Sequence, residues 1–305
     1  MGPPRVIAIV GATATGKTDL GEAVADAIGG EVVCADSRQV FRELEVGTGK
    51  PSPAERAARP HHLFDVFTLG QRPSAGGYAQ AAGAVCAAIH ARDRTPVLVG
   101  GSGLWLRAAQ HGLSAEPPHD AQVRAGIQAE LDHDGPEVLH ERLALVDPAA
   151  AARISPRDRQ RITRALEVHE TSGQALSWWH ERRSEPTVTG EWRVFELTLQ
   201  PLALDRRIAR RTRWMFDSGL VEEATALVGA GKEPALRALH AVGYDEALEL
   251  IAGRVTRAEA EERTSLRTRQ LAKRQRTWFR HQVEAVRLAE GTTGALLQEI
   301  LAHLR

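Results

Sequence analysis

An apolar run, Val6-Ile7-Ala8-Ile9-Val10, passes directly into Gly11-Ala12-Thr13-Ala14-Thr15-Gly16-Lys17-Thr18, after which apolar residues recur with helical spacing at Leu20, Val24 and Ile28. Strand, glycine-bounded loop and helix in that order make a phosphate-binding loop, or P-loop. The glycines let successive backbone N–H groups turn inward, the helix start adds the positive end of its dipole, Lys17 reaches a distal phosphate, and Thr18 can hold Mg²⁺. Gly11, Ala12, Thr13, Ala14, Thr15, Gly16, Lys17 and Thr18 are therefore expected to cradle a di- or triphosphate, as a nucleotide- or ATP-binding loop does. The loop itself does not say whether that phosphate carries a nucleoside.

Such an N-terminus constrains the rest of the chain. Residues 31–35 read as a second buried strand ending at Asp36, residues 96–99 as a third ending at Gly100-Gly101-Ser102-Gly103, and residues 78–91 as a helix between them. Continuous apolar strands separated by helices predict an α/β fold whose parallel sheet is covered by helices. Ligands of such sheets sit beyond the carboxyl ends of the strands, where all three motifs fall. The chain's 305 residues leave room for about two domains. From Pro117-Pro118 the pattern turns helical until residues 192–199, which alternate like a strand. The expectation is a P-loop core from residues 1–116 and 192–305, interrupted by a helical insertion domain at 117–191, with a helix over about 257–287.

The 39 Lys and Arg balance 39 Asp and Glu, but the balance conceals clustering. Residues 263–280 hold seven Arg and Lys and no acid, while 205–214 and 153–164 each hold five Arg and one Asp. On a helix Arg269, Lys273, Arg276 and Arg280 share one face. With no acid in that stretch to pair with, the stripe points to a phosphate track and a nucleic-acid partner. No segment reads as a signal peptide or membrane span, so a cytoplasmic protein without membrane contact is expected. Cys34 and Cys86 lie in apolar stretches and read as reduced core thiols. His61-His62 has no third ligand nearby in sequence and reads as structural, and Trp178-Trp179 reads as core.

Asp36, at the end of a strand facing the loop, is the candidate general base. The strand at 96–99 ends without a carboxylate, so the equipment of a phosphate-hydrolysing enzyme is incomplete. A small-molecule kinase with ATP on the loop and Asp36 as base, and a nucleotide-gated RNA-binding module, are the alternatives.

Further motifs come at close spacing: Asp36-Ser37-Arg38-Gln39-Val40-Phe41-Arg42, Gly47-Thr48-Gly49-Lys50-Pro51, His61-His62-Leu63-Phe64-Asp65 and Gly100-Gly101-Ser102-Gly103-Leu104-Trp105. Downstream come Arg161-x-x-Arg164-Ala165-Leu166-Glu167-Val168, Gly219-Leu220-Val221-Glu222-Glu223, Val242-Gly243-Tyr244 and Lys273-Arg274-Gln275-Arg276-Thr277-Trp278. With the P-loop, this ordered set resembles the tRNA dimethylallyltransferases over about residues 5–282. The resemblance implies transfer of a dimethylallyl group from dimethylallyl diphosphate to the exocyclic amine of the adenine 3′ of the anticodon, with Mg²⁺ at Thr18 and diphosphate released. It implies catalytic roles for Asp36, Ser102 and Arg211, the last in Arg207-Ile208-x-x-Arg211-x-x-x-Met215. It further implies contacts to the tRNA anticodon stem-loop from Asp36, Ser37, Arg38, Gln39, Ser102, Arg124, Gln160, Arg161, Arg164, Gly243, Tyr244, Lys273, Arg274, Arg276 and Arg280 of a monomer. Arg206 and Arg213 read as solvated. Asp245 departs from the pattern, standing where a basic residue is common.

Overall fold

Val6, Ile7, Ala8, Ile9 and Val10 are each at most 1% exposed, because the strand they form, β1 (Arg5–Gly11), has parallel neighbours on both sides. The computed structural model describes residues 4–114, 116–117, 119–182 and 185–305. The chain forms two compact units, one from the residues up to Gln110 together with Thr187–Arg305, the other from His111–Pro186.

In the first unit β1 is followed by α1 (Lys17–Ile28), β2 (Glu31–Cys34), a 3-10 turn at Val46–Thr48, α2 (Pro53–Ala58), β3 (His61–His62), α3 (Ala75–His90), β4 (Pro96–Gly100) and α4 (Gly103–His111). The other unit contains α5 (Ala121–Asp134), α6 (Pro136–Val146), α7 (Pro148–Ala151), α8 (Arg159–Ser172) and α9 (Leu176–His180). The first unit resumes with β5 (Glu191–Leu197), α10 (Pro201–Asp217), α11 (Leu220–Gly229), α12 (Glu233–Ala238), α13 (Tyr244–Ile251), α14 (Arg257–Gln282), β6 (Val286–Leu288) and α15 (Thr293–Leu304).

The six strands are ordered β3-β2-β4-β1-β5-β6 and every pair is parallel. Leu20 and Val24 of α1, with Leu296 and Ile300 of α15, pack on Ile7, Ile9, Val97, Val99 and Phe195. Each such side chain, moved from water to the interior, stabilises the fold by about 1.5–3 kcal/mol. The carboxyl ends of β1, β2 and β4 consequently lie side by side, at Gly11, Cys34 and Gly100.

Two sequence expectations are corrected. The helix expected to reach residue 287 ends at Gln282, and Val283 is extended, which frees Val286–Leu288 to add β6 to the sheet. β6 in turn pairs with Phe195, Glu196 and Leu197, and in this parallel sheet Val194, Phe195, Glu196 and Leu197 are buried in succession rather than alternately. The division of the chain also falls earlier than 117 and 191. Residues after Pro186 belong with the sheet: the Val188 N–H donates to the Ala109 carbonyl, and the Trp192 indole donates to the Val188 carbonyl. Pro118, in the dipeptide that suggested the first boundary, lies outside the described residues.

The helical unit has its own core of Ile127, Leu131, Leu139, Leu143, Ile162 and Leu166. Its helices start where the sequence supplies caps. The Asp120 carboxylate accepts the N–H groups of Gln122 and Val123, and Asp158 that of Arg161.

Candidate active site

The phosphate loop turns out of β1 at Gly11, whose φ of 147° and 2.7 Å clearance between a built Cβ and the Leu197 carbonyl exclude any side chain. Thr15 Oγ1 and Lys17 Nζ both donate to the Ala12 carbonyl, at 2.9 and 3.0 Å. Two distant residues brace the loop from outside. Gln275 of α14 accepts the Thr13 N–H at 2.8 Å and donates to the Gly101 carbonyl at 3.0 Å, linking the loop to the end of β4. Arg207 of α10 donates to the Thr15 carbonyl at 2.9 Å.

Asp36 stands just beyond β2, where its Oδ1 accepts the Arg38 N–H at 2.9 Å and fixes the next turn. Ser102, at the end of β4, accepts the Ser37 N–H on its Oγ at 2.9 Å. The Arg38 guanidinium, whose pKa burial depresses against the pull of Asp36, donates to the Leu239 carbonyl at 3.0 Å. Arg211 enters from α10 and donates to the Thr48 carbonyl at 2.9 Å; burial lowers its pKa too, again opposed by Asp36. Lys17 is brought down to about 8 by burial, with Asp36 pulling up and Arg211 pushing down. One carboxylate thus acts on three cations, Lys17, Arg38 and Arg211.

These groups surround two neighbouring features that share lining residues. A narrow niche of about 40 Å³ is lined by Thr13, Lys17, Thr18, Asp36, Gln39, Thr48 and Arg211. A wider cavity of about 500 Å³ shares Thr13, Asp36, Thr48 and Arg211 with it and is walled by Trp105, Met215, Tyr244, Leu271 and Trp278. The niche offers cations and hydroxyls; the larger space offers apolar and aromatic surface. Among the described residues no cluster of three His, Cys, Asp or Glu could hold a metal. A magnesium ion would instead find Thr18 and Asp36 together in the niche lining, a donor set that suits Mg²⁺ when substrate phosphates and water complete its shell.

The basic stripe lines a separate groove. Arg269, Lys273, Arg276 and Arg280 face Pro201, Leu204, Asp205 and Ile208 of α10 around about 340 Å³. None of the four makes an ion pair or hydrogen bond among the described residues. Arg274 lines the large cavity instead.

Several expected tRNA contacts are already engaged within the fold. Gln39 donates to the Thr48 and Gly49 carbonyls, and Tyr244 is fully buried with its hydroxyl on Glu223, its ring forming cavity wall. Gly243 caps α13. In the helical unit Arg124 and Arg164 both pair with the buried Glu167, at 3.2 and 3.4 Å, and Arg164 also holds Glu116. Burial would raise the Glu116 carboxyl, but hydrogen bonds from His180 and Ser114 and the charge of Arg164 hold it at about 2. Gln160 and Arg161 are exposed on α8. Asp245 pairs with Arg267 at 2.8 Å. His61 and His62 bond separately to Glu22 and Glu31, Arg206 and Arg213 are exposed, and Trp179 packs on the helical core with Trp178 edge-on against it. Both cysteines are free and buried, and burial raises the Cys86 thiol to about 12.

Arg207 and Gln275 stand in sequence motifs that assigned them no role, and Glu223, likewise quoted without one, accepts the Glu45 and Val46 N–H groups. Gln275 is hidden in a basic run, and only its neutrality among cations marks it.

Two family models match the chain, IPP transferase over residues 39–282 and isopentenyl transferase over residues 4–71. The tRNA dimethylallyltransferase of Halorhodospira halophila is 46% identical over 286 residues, covering 92% of each chain. That of Geobacter sulfurreducens is 42% identical, covering 90% of this chain and 89% of its own. The crystal structure of the tRNA isopentenylpyrophosphate transferase of Bacillus halodurans superposes with a TM-score of 0.70 at 32% identity, covering 98% of this chain and 95% of that one. A eukaryotic dimethylallyltransferase crystallised acting on tRNA shares the fold, with a TM-score of 0.78 at 24% identity over 94% of this chain and 74% of that one.

Proposed function

The chain belongs to the IPP transferase family, and on that footing we propose that it is a tRNA dimethylallyltransferase whose chemistry is divided between the niche and the cavity beside it. The exocyclic amine of the adenine next to the anticodon attacks C1 of dimethylallyl diphosphate. A C–N bond forms, the C–O bond to diphosphate breaks, and the amine proton passes to Asp36. The observation that carries this reading is the meeting of Asp36, Lys17, Thr18 and Arg211 in one niche that shares Asp36 and Arg211 with an aromatic-walled cavity.

Each group has a role its chemistry suits. The loop N–H groups and Lys17 hold the diphosphate. Arg211 stands where negative charge grows on the leaving group, and stabilisation there lowers the barrier. Thr18 of the niche would hold Mg²⁺, which neutralises diphosphate charge when bound. Ser102 keeps the Asp36–Arg38 turn in place through the Ser37 N–H. The unpaired stripe Lys273, Arg276 and Arg280, with Arg269, suits the phosphates of an anticodon stem-loop, while the exposed Gln160 and Arg161 are the candidates on the helical unit. The reading carries with it a monomer working in the cytoplasm; among the described residues no helix is long and apolar enough to cross a membrane.

The test is incubation of the protein with tRNA, Mg²⁺ and dimethylallyl diphosphate, with and without ATP, then digestion and mass analysis. Prenylated adenosine should form without ATP. Product that requires ATP, or ATP converted to ADP in step with a phosphorylated small molecule, would establish the kinase alternative, which the relatives' identities disfavour.

A further inference from the structure

Two sequence motifs, Gly219-Leu220-Val221-Glu222-Glu223 and Val242-Gly243-Tyr244, supply none of the groups assigned to the diphosphate or the proton, yet they converge on one spot. Glu223, in the first turn of α11, lines neither the niche nor the cavity. Its Oε1 accepts the Glu45 N–H at 2.9 Å and its Oε2 the Val46 N–H at 2.8 Å. These consecutive donors open the 3-10 turn at Val46–Thr48, where they have no partner within the turn. The Tyr244 hydroxyl donates to the same carboxylate. Burial and the Glu223 charge push the phenol's pKa far up, so it stays a donor. Its ring closes over Gly47, where a Cβ would stand 2.4 Å from Cε2 of the ring and 2.7 Å from Leu220 Cδ1.

The turn so clamped presents its last carbonyl to the active site. Thr48 O accepts Arg211 Nη2 at 2.9 Å, and this is the only hydrogen bond Arg211 makes among the described residues. Gln39 ties down the same carbonyl at 3.3 Å and that of Gly49 at 3.1 Å. At Gly49 a Cβ would lie 2.2 Å from Arg211 Nη2, so the guanidinium rests directly on the backbone. We propose that Glu223 and Tyr244 are positioning residues for Arg211, setting where its guanidinium meets the leaving diphosphate by fixing the turn that holds it. A reacting group displaced by about 1 Å can lose about a hundredfold in rate, so a remote carboxylate can carry a large share of the rate through one cation.

The inference rests on the reading of Arg211 as the diphosphate's cation, and a double-mutant cycle separates the two. Single-turnover transfer to saturating tRNA is measured for the parent, Glu223→Gln, Arg211→Ala and the double variant, alongside tRNA affinity and thermal stability. Glu223→Gln places an amide N–H against one of its present donors. It should slow transfer about 10- to 100-fold when Arg211 is present and less than about threefold when Arg211 is already Ala, with tRNA affinity unchanged. Tyr244→Phe, which removes a single hydroxyl, should show the same non-additivity with a smaller loss and carries the test if Glu223→Gln does not fold. Equal losses in both backgrounds, or no loss in either, would overturn the proposal alone. An Arg211→Ala protein as fast as the parent would remove Arg211 from the mechanism and the proposal with it.

Discussion

Burial holds Lys17 at about 8, against the opposing charge of Asp36 and with the help of Arg211. A lysine with that pKa is charged at neutral pH and loses its proton as pH climbs past 8, so its grip on a diphosphate weakens on the alkaline side. The Michaelis constant for dimethylallyl diphosphate should be level below about pH 7 and rise by up to about tenfold per pH unit well above 8. Lys17→Arg should remove that rise, since a guanidinium stays protonated throughout. A parent profile level to about pH 9.5 would show that Lys17 does not govern diphosphate binding. Asp36 lies on the other side of the same balance. Asp36→Asn keeps an acceptor for the Arg38 N–H but cannot take the amine proton, so single-turnover transfer should fall roughly 10²–10⁴-fold with tRNA affinity intact. A rate within threefold of the parent would exclude Asp36 as the base.

At the scale of the element, α14 does two jobs on two faces. Arg269, Lys273, Arg276 and Arg280 line the groove beside α10, while Gln275 and Trp278 turn toward the P-loop and the cavity. The two faces should separate experimentally. Arg276→Ala removes one cation from the groove, so binding to every tRNA should weaken and the slope of log affinity against log salt should become shallower by about one. An unchanged slope would make the stripe a solvated face. Gln275→Ala unties Thr13 from Gly101 and should lower kcat/KM for dimethylallyl diphosphate about 10- to 100-fold while leaving that slope alone. A changed slope with unchanged kcat/KM would reverse the assignment of the two faces.

In the molecule as a whole, each unit carries its own core. Leu143→Ala removes a fully buried side chain from the helical core and should destabilise that unit by about 2–5 kcal/mol. Hydrogen exchange should report the loss in α5, α6 and α8, while β1 and β4 keep their protection. Equal loss of protection in the central strands would mean that the units unfold as one. The arginines of the helical unit are largely committed: Arg142 pairs with Glu130 and Glu170, Arg159 with Asp132, and Arg124 and Arg164 with Glu167. The groove cations have no such partners among the described residues. A chain of zero net charge therefore gathers four cations without an ion pair along one groove, with Asp205 in its lining and Glu196 within electrostatic reach of Arg276 and Arg280.

The local signals were sufficient for much of this. The buried run at Val6–Val10 and the spacing of Gly11, Gly16, Lys17 and Thr18 dictated strand, loop and helix, because hydrogen bonding and sterics there depend on neighbours in sequence. Asp36 and Ser102 were legible for a related reason, since carboxyl ends of parallel strands must lie together. Tertiary structure decided what depends on residues far apart in the chain. Gln275 reaches Thr13 across 262 positions and Arg207 reaches Thr15 across 192, and no periodicity encodes either meeting. The end of α14 and the arrival of β6 were settled by the open edge of β5, which offered backbone groups that a longer helix would have left unpaired. Which arginines are ion-paired was likewise beyond the sequence: a basic run looks the same whether its charges meet Glu167 or solvent, and only packing brings the carboxylate to Arg124 and Arg164 and leaves Arg276 without an ion pair among the described residues.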